Sequence, residues 1–187
     1  MGCVVLAHAN HVTMATSKAM SVMFGHAVFF MKTLLLVRHA KTKPAGPNQA
    51  DHARELQDSG VSDAARLGRY LSKQGLRPDK MLVSSATRTQ STAHILLREI
   101  DAKSIDVVVS DELYLADSTS LAHVVQGTRD GVDTLMIVGH NPGLSELAHE
   151  YDQTIGELSP AQMLWVEFDI EDWVKASPKR VLRARVA

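Results

Sequence analysis

With 187 residues the chain has the length of a single domain, long enough to bury a proper core. Lys and Arg number 20 against 21 Asp and Glu, a formal net charge of −1, so no global basic field draws the protein to nucleic acid or to an anionic membrane, and any cationic site must be local. The single cysteine, Cys3, excludes an internal disulfide and fits a reducing, cytoplasmic setting.

Residues 1–30 differ in composition from the rest of the chain, with Lys18 as their one charged side chain and no Asp or Glu. The apolar run from Ala19 to Met31 is interrupted by His26 and falls short of the roughly 20 residues that a membrane-spanning helix needs. No basic start and no small-residue cleavage site mark a secretory signal, and no arginines mark a transit peptide. Leu6 stands where a myristoylation site carries Ser or Thr. The expected organisation is a non-catalytic extension over 1–30, or an upstream start, followed by one domain over 31–187.

From Met31 onward strands and helices alternate. Thr33 to Val37 reads as a fully buried strand, followed at once by Arg38 and His39. Pro44 to Pro47 marks a loop, and Asp58-Ser59-Gly60 opens a helix whose apolar face holds Val61, Ala64, Ala65, Gly68 and Leu71, with Gly75 as its stop. Lys80 to Ser84 is a second buried strand. Ser85 is the expected N-cap of the next helix, which runs through Ala93, Leu96, Leu97 and Ile100. Asp106 to Ser110 is a third strand, Ser118 to Gln126 a short helix, and Thr134 to Val138 a fourth strand leading into Gly139-His140-Asn141-Pro142-Gly143. Pro142 suits the first turn of a helix reaching about Tyr151. Gln162 to Phe168 and Arg180 to Val186 alternate apolar with polar, as antiparallel or edge strands do. The pattern predicts an α/β domain, a three-layer α/β/α sandwich on a mostly parallel central sheet.

This order places the polar groups. Arg38 and His39 leave the first strand, Arg88 lies in the first turn after the second, and His140 leaves the fourth, so all four are expected at the carboxyl edge of the sheet, where such folds bind ligands. Two guanidiniums and two imidazoles with no adjacent carboxylate describe a pocket for a doubly charged anion, because Arg forks match phosphate oxygens. The start of the Arg88 helix adds backbone N–H groups to the same task. Taken singly, Arg88 reads as a solvated helix residue and His140 as a turn residue, and it is their convergence that points to a site. A metal there would want carboxylate, thiolate or further imidazole ligands and would have to sit between two arginines, so no metal and no cofactor is expected. His52, His94, His123 and His149 read as surface or packing residues.

Three segments carry a family resemblance. Leu36-Val37-Arg38-His39-Ala40, Ser84-Ser85-Ala86-Thr87-Arg88-Thr89-Gln90-Ser91-Thr92-Ala93 and Val138-Gly139-His140-Asn141-Pro142 resemble, in order and spacing, the signature segments of the histidine phosphatase superfamily. Arg54-Glu55-Leu56-Gln57-Asp58-Ser59-Gly60 is similar to the Arg-x-Leu-x-x-x-Gly segment of its small SixA-type phosphohistidine phosphatases. The resemblance covers Met31 to Ala187 and departs from the pattern at Ala40, often Gly, and Ser85, often Pro. It implies a phosphoglycerate mutase-like fold and a metal-independent phosphatase in which His39 takes the phosphoryl group and yields it to water, with Arg38, Arg88 and His140 compensating charge and Arg54 adding a contact to substrate. The implied partner is a phosphorylated protein, phosphohistidine above all, or a small phosphate, met by a monomer. A phosphomonoesterase or mutase of the same superfamily, a non-catalytic phosphate-binding module and a metalloprotein using His39 and His140 are the competing readings.

The resemblance also bears on the leaving group. Ester-cleaving relatives usually carry a glutamate after the third strand, and in Asp111-Glu112-Leu113-Tyr114-Leu115-Ala116-Asp117 that place falls to Leu115. A phosphorylated imidazole can leave as a neutral ring, whereas an alkoxide needs a proton donor, so phosphorus–nitrogen bonds are the expected substrates unless Glu112 or Asp117 supplies the acid.

Overall fold

The computed structural model describes residues 22–24, 27–29, 31–100 and 104–187. Most of the stretch read as an extension therefore lies outside the described residues. Within it, β1 (Val22–Phe24) and β2 (Ala27–Phe29) pair antiparallel, with Val22 opposite Phe29.

The domain is built on a six-stranded sheet. Its strands are β3 (Met31–Arg38), β4 (Lys80–Ser84), β5 (Asp106–Ser110), β6 (Thr134–Gly139), β7 (Met163–Asp169) and β8 (Val181–Val186), in the order β5-β4-β6-β3-β7-β8. The pairs β5–β4, β4–β6 and β6–β3 are parallel, and β7 runs antiparallel to both β3 and β8. The late alternating segments are thus the antiparallel side of the sheet, as their pattern predicts.

Helices α1 (Asp58–Lys73), α2 (Thr87–Glu99), α3 (Ser118–Gln126) and α4 (Gly143–Tyr151) cover the two faces. The period-two pleat of the central strands explains the sorting. Leu35 and Val37 of β3 with Met136 and Val138 of β6 pack against Leu67 and Leu71 of α1 and Ala93 and Leu96 of α2. Leu34, Leu36, Leu135 and Ile137 face the other way, onto Leu121 and Val125 of α3 and Leu144 and Leu147 of α4. Leu34 to Val37 are fully buried, which is why this strand is apolar without alternation, and each such side chain contributes about 1.5–3 kcal/mol of burial.

Two local expectations are corrected. The buried stripe of α1 is Gly60, Ala64, Leu67, Gly68 and Leu71, and Val61 is 41% exposed, because the helix is rotated so that Gly60 can press against the backbone of Lys41. Ala86, not Ser85, is the N-cap of α2 and makes no side-chain cap bond; Thr89 Oγ1 instead satisfies the carbonyls of Ser84 (2.8 Å) and Ala86 (2.6 Å). The third strand has the predicted bounds and stands at the edge of the sheet, with Val107, Val108 and Val109 all more than a third exposed.

Among the described residues no helix is long and apolar enough to cross a membrane.

Candidate active site

The sheet register delivers the site. β3 and β6 pair with Arg38 opposite Gly139, so the next residues along, His39 and His140, leave adjacent strands side by side, their rings 5.2 Å apart. β4 is the next strand over, and the short turn after Ser84 puts Arg88 in the first turn of α2. Two glycines close the framework. A Cβ on Gly60 would lie 2.1 Å from the Lys41 carbonyl, and one on Gly143 would lie 2.0 Å from that of Ala116, so these positions let α1 and α4 abut the loops that flank His39 and carry Leu115. Arg38, His39, Arg54, Arg88 and His140 line one cleft of about 550 Å³, together with Asp51 and Leu115. All five residues proposed from sequence are therefore brought together.

His39 is set up as a neutral base or nucleophile. Its Nδ1 lies 2.8 Å from the Ala40 carbonyl oxygen, an acceptor only, so the proton sits on Nδ1 and the lone pair on Nε2. Arg88 Nε–H points at that lone pair from 3.3 Å. Burial pushes the His39 pKa down to about 4; the Ala40 bond opposes this, and the charges of Arg88, Arg38 and Arg54 add to it. The guanidiniums thus help to keep the ring unprotonated, as a supplement to burial.

His140 is buried, with Nε2 2.7 Å from Ser84 Oγ. With Ser84 as donor the neutral ring carries its proton on Nδ1, an atom buried without a protein partner. Burial first, then Arg88 and His39, hold the His140 pKa down at about 3. Arg38 Nε is likewise buried and unpartnered. Its NH1 is anchored to the Leu158 carbonyl (2.6 Å) and Glu157 Oε1 (3.0 Å), the same pair that receives Asn141 Nδ2. Buried polar atoms without partners are costly, and both of these belong to side chains that line the cleft.

Arg88 is 3% exposed and is not a solvated helix residue. Its NH1 donates to the Asp51 carbonyl (2.6 Å) and its NH2 to Asp51 Oδ2 (2.9 Å). This corrects the expectation of no adjacent carboxylate. Asp51 also accepts from Arg54 NH1 (3.2 Å) and from the Tyr114 hydroxyl (2.9 Å). Burial alone would raise the Asp51 pKa, but the bonds from Tyr114 and Arg54 and the Arg88 charge bring it down to about 2. Arg54 is further held by Thr42 Oγ1 and the Lys43 carbonyl.

Sequence reasoning missed Asp51, Tyr114, Ser84 and His52. His52 is no plain surface residue: Nε2 meets Ser85 Oγ at 2.9 Å and its ring packs edge-on against Tyr114 at 4.9 Å. Tyr114 in turn lies edge-on to His140, 5.5 Å away. For Ser84 the available signal was its place as the last residue of its strand; Asp51, His52 and Tyr114 lie in segments without a period. Leu115 lines the cleft, half exposed, at φ 52°. Of the two candidate acids, Asp117 is committed to capping α3, accepting from Ser120 N at 2.7 Å, and neither it nor Glu112 lines the cleft. Among the described residues no three His, Cys, Asp or Glu side chains converge as metal ligands.

Known proteins resemble this chain in sequence and in fold. A chloroplastic protein of Arabidopsis thaliana is 30% identical over 125 residues, 63% of this chain and 57% of its own length. A Mycobacterium tuberculosis protein is 36% identical over 114 residues, 60% of this chain and 67% of its own. Among solved structures, a SixA protein from Agrobacterium tumefaciens superposes with a TM-score of 0.71 at 23% identity, covering 82% of this chain and 97% of that one. The protein histidine phosphatase SixA in complex with tungstate gives 0.66 at 20% identity, over 73% and 88%. The fold is thus the phosphoglycerate mutase-like α/β sandwich. The sequence model of the histidine phosphatase superfamily (branch 1) matches residues 34–114, the span that holds Arg38, His39, Arg54 and Arg88 of the cleft, and the chain belongs to that superfamily.

Proposed function

We propose that this phosphatase is metal-independent and works through a phosphohistidine formed on His39. The observation that carries the reading is the His39 ring, neutral and tautomer-fixed, whose Nε2 lone pair meets only the 3.3 Å contact from Arg88 Nε, in a cleft lined by Arg38, Arg54, Arg88 and His140 with Asp51 as its one carboxylate. Nε2 attacks phosphorus, the bond to the leaving group breaks, and water then takes the phosphoryl group from Nε2. Splitting one displacement in two is ordinary covalent catalysis. Arg38, Arg88, Arg54 and His140 line the same cleft and meet the charge that builds on the equatorial oxygens, which is most of what phosphoryl transfer asks of a protein. Residues 1–30 take no part in this chemistry.

The substrate class follows from the leaving group. With Leu115 in the cleft, Asp117 committed to a helix cap and Asp51 held ionised by its donors, no carboxylic acid among the described residues stands ready to protonate an alkoxide. A phosphorylated imidazole leaves as a neutral ring once its second nitrogen is protonated. The favoured substrate is therefore a phosphohistidine protein, acted on in a cytoplasmic setting by a monomer. The test is a side-by-side assay of a phosphohistidine peptide, a phosphoserine peptide and small phosphate esters, with and without a chelator. Preferential release of phosphate from phosphohistidine, unaffected by chelation, is expected; equal rates on alkyl esters would point instead to a small-molecule phosphomonoesterase.

A further inference from the structure

Resting on the phosphatase reading, we propose that Asp51 is a built-in occupant of the phosphate seat: its carboxylate, held from outside by Tyr114, sits on the Arg88 and Arg54 donors that a substrate phosphoryl group uses, and has to be displaced for that group to bind. Three donors from three separate elements converge on this one side chain, Arg88 NH2 from α2, Arg54 NH1 from the loop before α1 and the Tyr114 hydroxyl from the segment after β5. A carboxylate presents two oxygens to guanidinium forks as a phosphate does, and charge-assisted pairs of this kind are strong. Two anions cannot share the forks, because a carboxylate left in place would face a dianion within a few ångströms.

The two sides of the contact differ in freedom. The Arg88 side chain is 4% exposed and rooted in a helix that packs on the sheet, whereas that of Asp51 is 49% exposed and sits on a short 3-10 turn, Asp51–Ala53, between extended neighbours. A rotation of the Asp51 side chain alone clears Arg88 NH2 and leaves the bond from Arg88 NH1 to the Asp51 carbonyl intact. The seat is thus vacated by the exposed partner while the buried one stays aligned on His39. An exchange of this form lowers apparent affinity by the fraction of molecules in which the carboxylate has swung out.

The experiment titrates tungstate and inorganic phosphate into the full chain by calorimetry, comparing wild type with Asp51→Asn and Tyr114→Phe and checking each by thermal melting. If the carboxylate fills the seat in roughly nine-tenths of molecules, Asp51→Asn binds both anions about tenfold tighter. Tyr114→Phe changes no charge near the site at neutral pH but removes one donor from the carboxylate, and it shifts affinity in the same direction by a smaller factor. That second variant separates displacement from simple loss of a negative charge, which would leave Tyr114→Phe unchanged, and it decides the matter if Asp51→Asn fails to fold. Unchanged or weaker binding in Tyr114→Phe, or weaker binding in Asp51→Asn, overturns the proposal and makes Asp51 a residue that orients Arg88. Wild type that binds tungstate without tightening in the variants sinks this inference alone, whereas no anion binding by any of the three proteins sinks the phosphatase reading with it.

Discussion

Replacing Arg88 by lysine keeps one positive charge and removes the fork. In the protein the guanidinium spends Nε on His39 at 3.3 Å, NH1 on the Asp51 carbonyl at 2.6 Å and NH2 on its carboxylate at 2.9 Å, all from a side chain that is nearly sealed from water. A lysine ammonium is a compact point charge on a flexible stem and cannot hold two phosphoryl oxygens while fixing the attacking ring. Loss of one preorganised donor to a developing oxyanion costs about 10²–10³ in rate, roughly 2.7–4 kcal/mol, and that is the expected fall in kcat/KM for Arg88→Lys. Most of it should appear in kcat, since the charge that Arg88 meets is greatest in the transition state. Steady-state kinetics on an aryl phosphate, tungstate inhibition and a melting curve measure the three consequences, and the melt should stay near wild type because the lysine can still pair with Asp51. A folded Arg88→Lys enzyme within about threefold of wild type would refute the claim that fork geometry, rather than charge, is what catalysis needs.

The remaining predictions concern acid, leaving group and extension. His39 and His140 have pKa values near 4 and 3 in the folded protein against an ordinary 6.5, so the unfolded chain takes up protons first as pH falls. Their contribution to stability is complete above about pH 6.5 and is lost as pH drops through 4 toward 3; melting curves from pH 7.5 down to 3.5 check it, and a flat profile contradicts it. Activity should hold down to about pH 4 and then fail as His39 Nε2 binds a proton, provided the fold survives at that pH. Leu115→Glu should raise alkyl-ester hydrolysis by about 10²-fold or more, the lower end of what a general acid supplies, with phosphohistidine cleavage much less affected; no gain would mean position 115 does not reach the leaving oxygen. Deleting residues 1–30 should leave kcat unchanged, and a folded but inactive truncation would show that the extension helps to form the site.

The parts of the fold that can be read in advance are those written as periodic burial. β3 and β6 are apolar without interruption because helices cover both their faces, and the residues after them are then fixed at the cleft by the parallel register of Arg38 with Gly139. Edge position is not written that way: Asp106–Ser110 has the valine run of a buried strand yet stands at the margin of the sheet. Asp51 escapes notice because the loop from residue 43 to 54 has no period, and its path is set by contacts with Arg88, Thr42 and Tyr114 that are distant in sequence or too irregular to anticipate. Tyr114 and His52 are invisible for the same reason, since an edge-on aromatic pair between distant segments leaves no spacing signal. The buried face of α1 differs from the apolar pattern by about one residue because Val61 weighs as an apolar side chain, while Gly60 is needed for close approach to Lys41.

The central claim is that His39 carries the phosphoryl group. Rapid quenching of wild type with a ³²P-labelled substrate, followed by peptide mapping, should give label that is stable in base and lost in acid, located on the peptide containing His39 and missing from His39→Ala, which should fold yet not turn over. Full turnover by His39→Ala, or label on any other residue, would contradict the account.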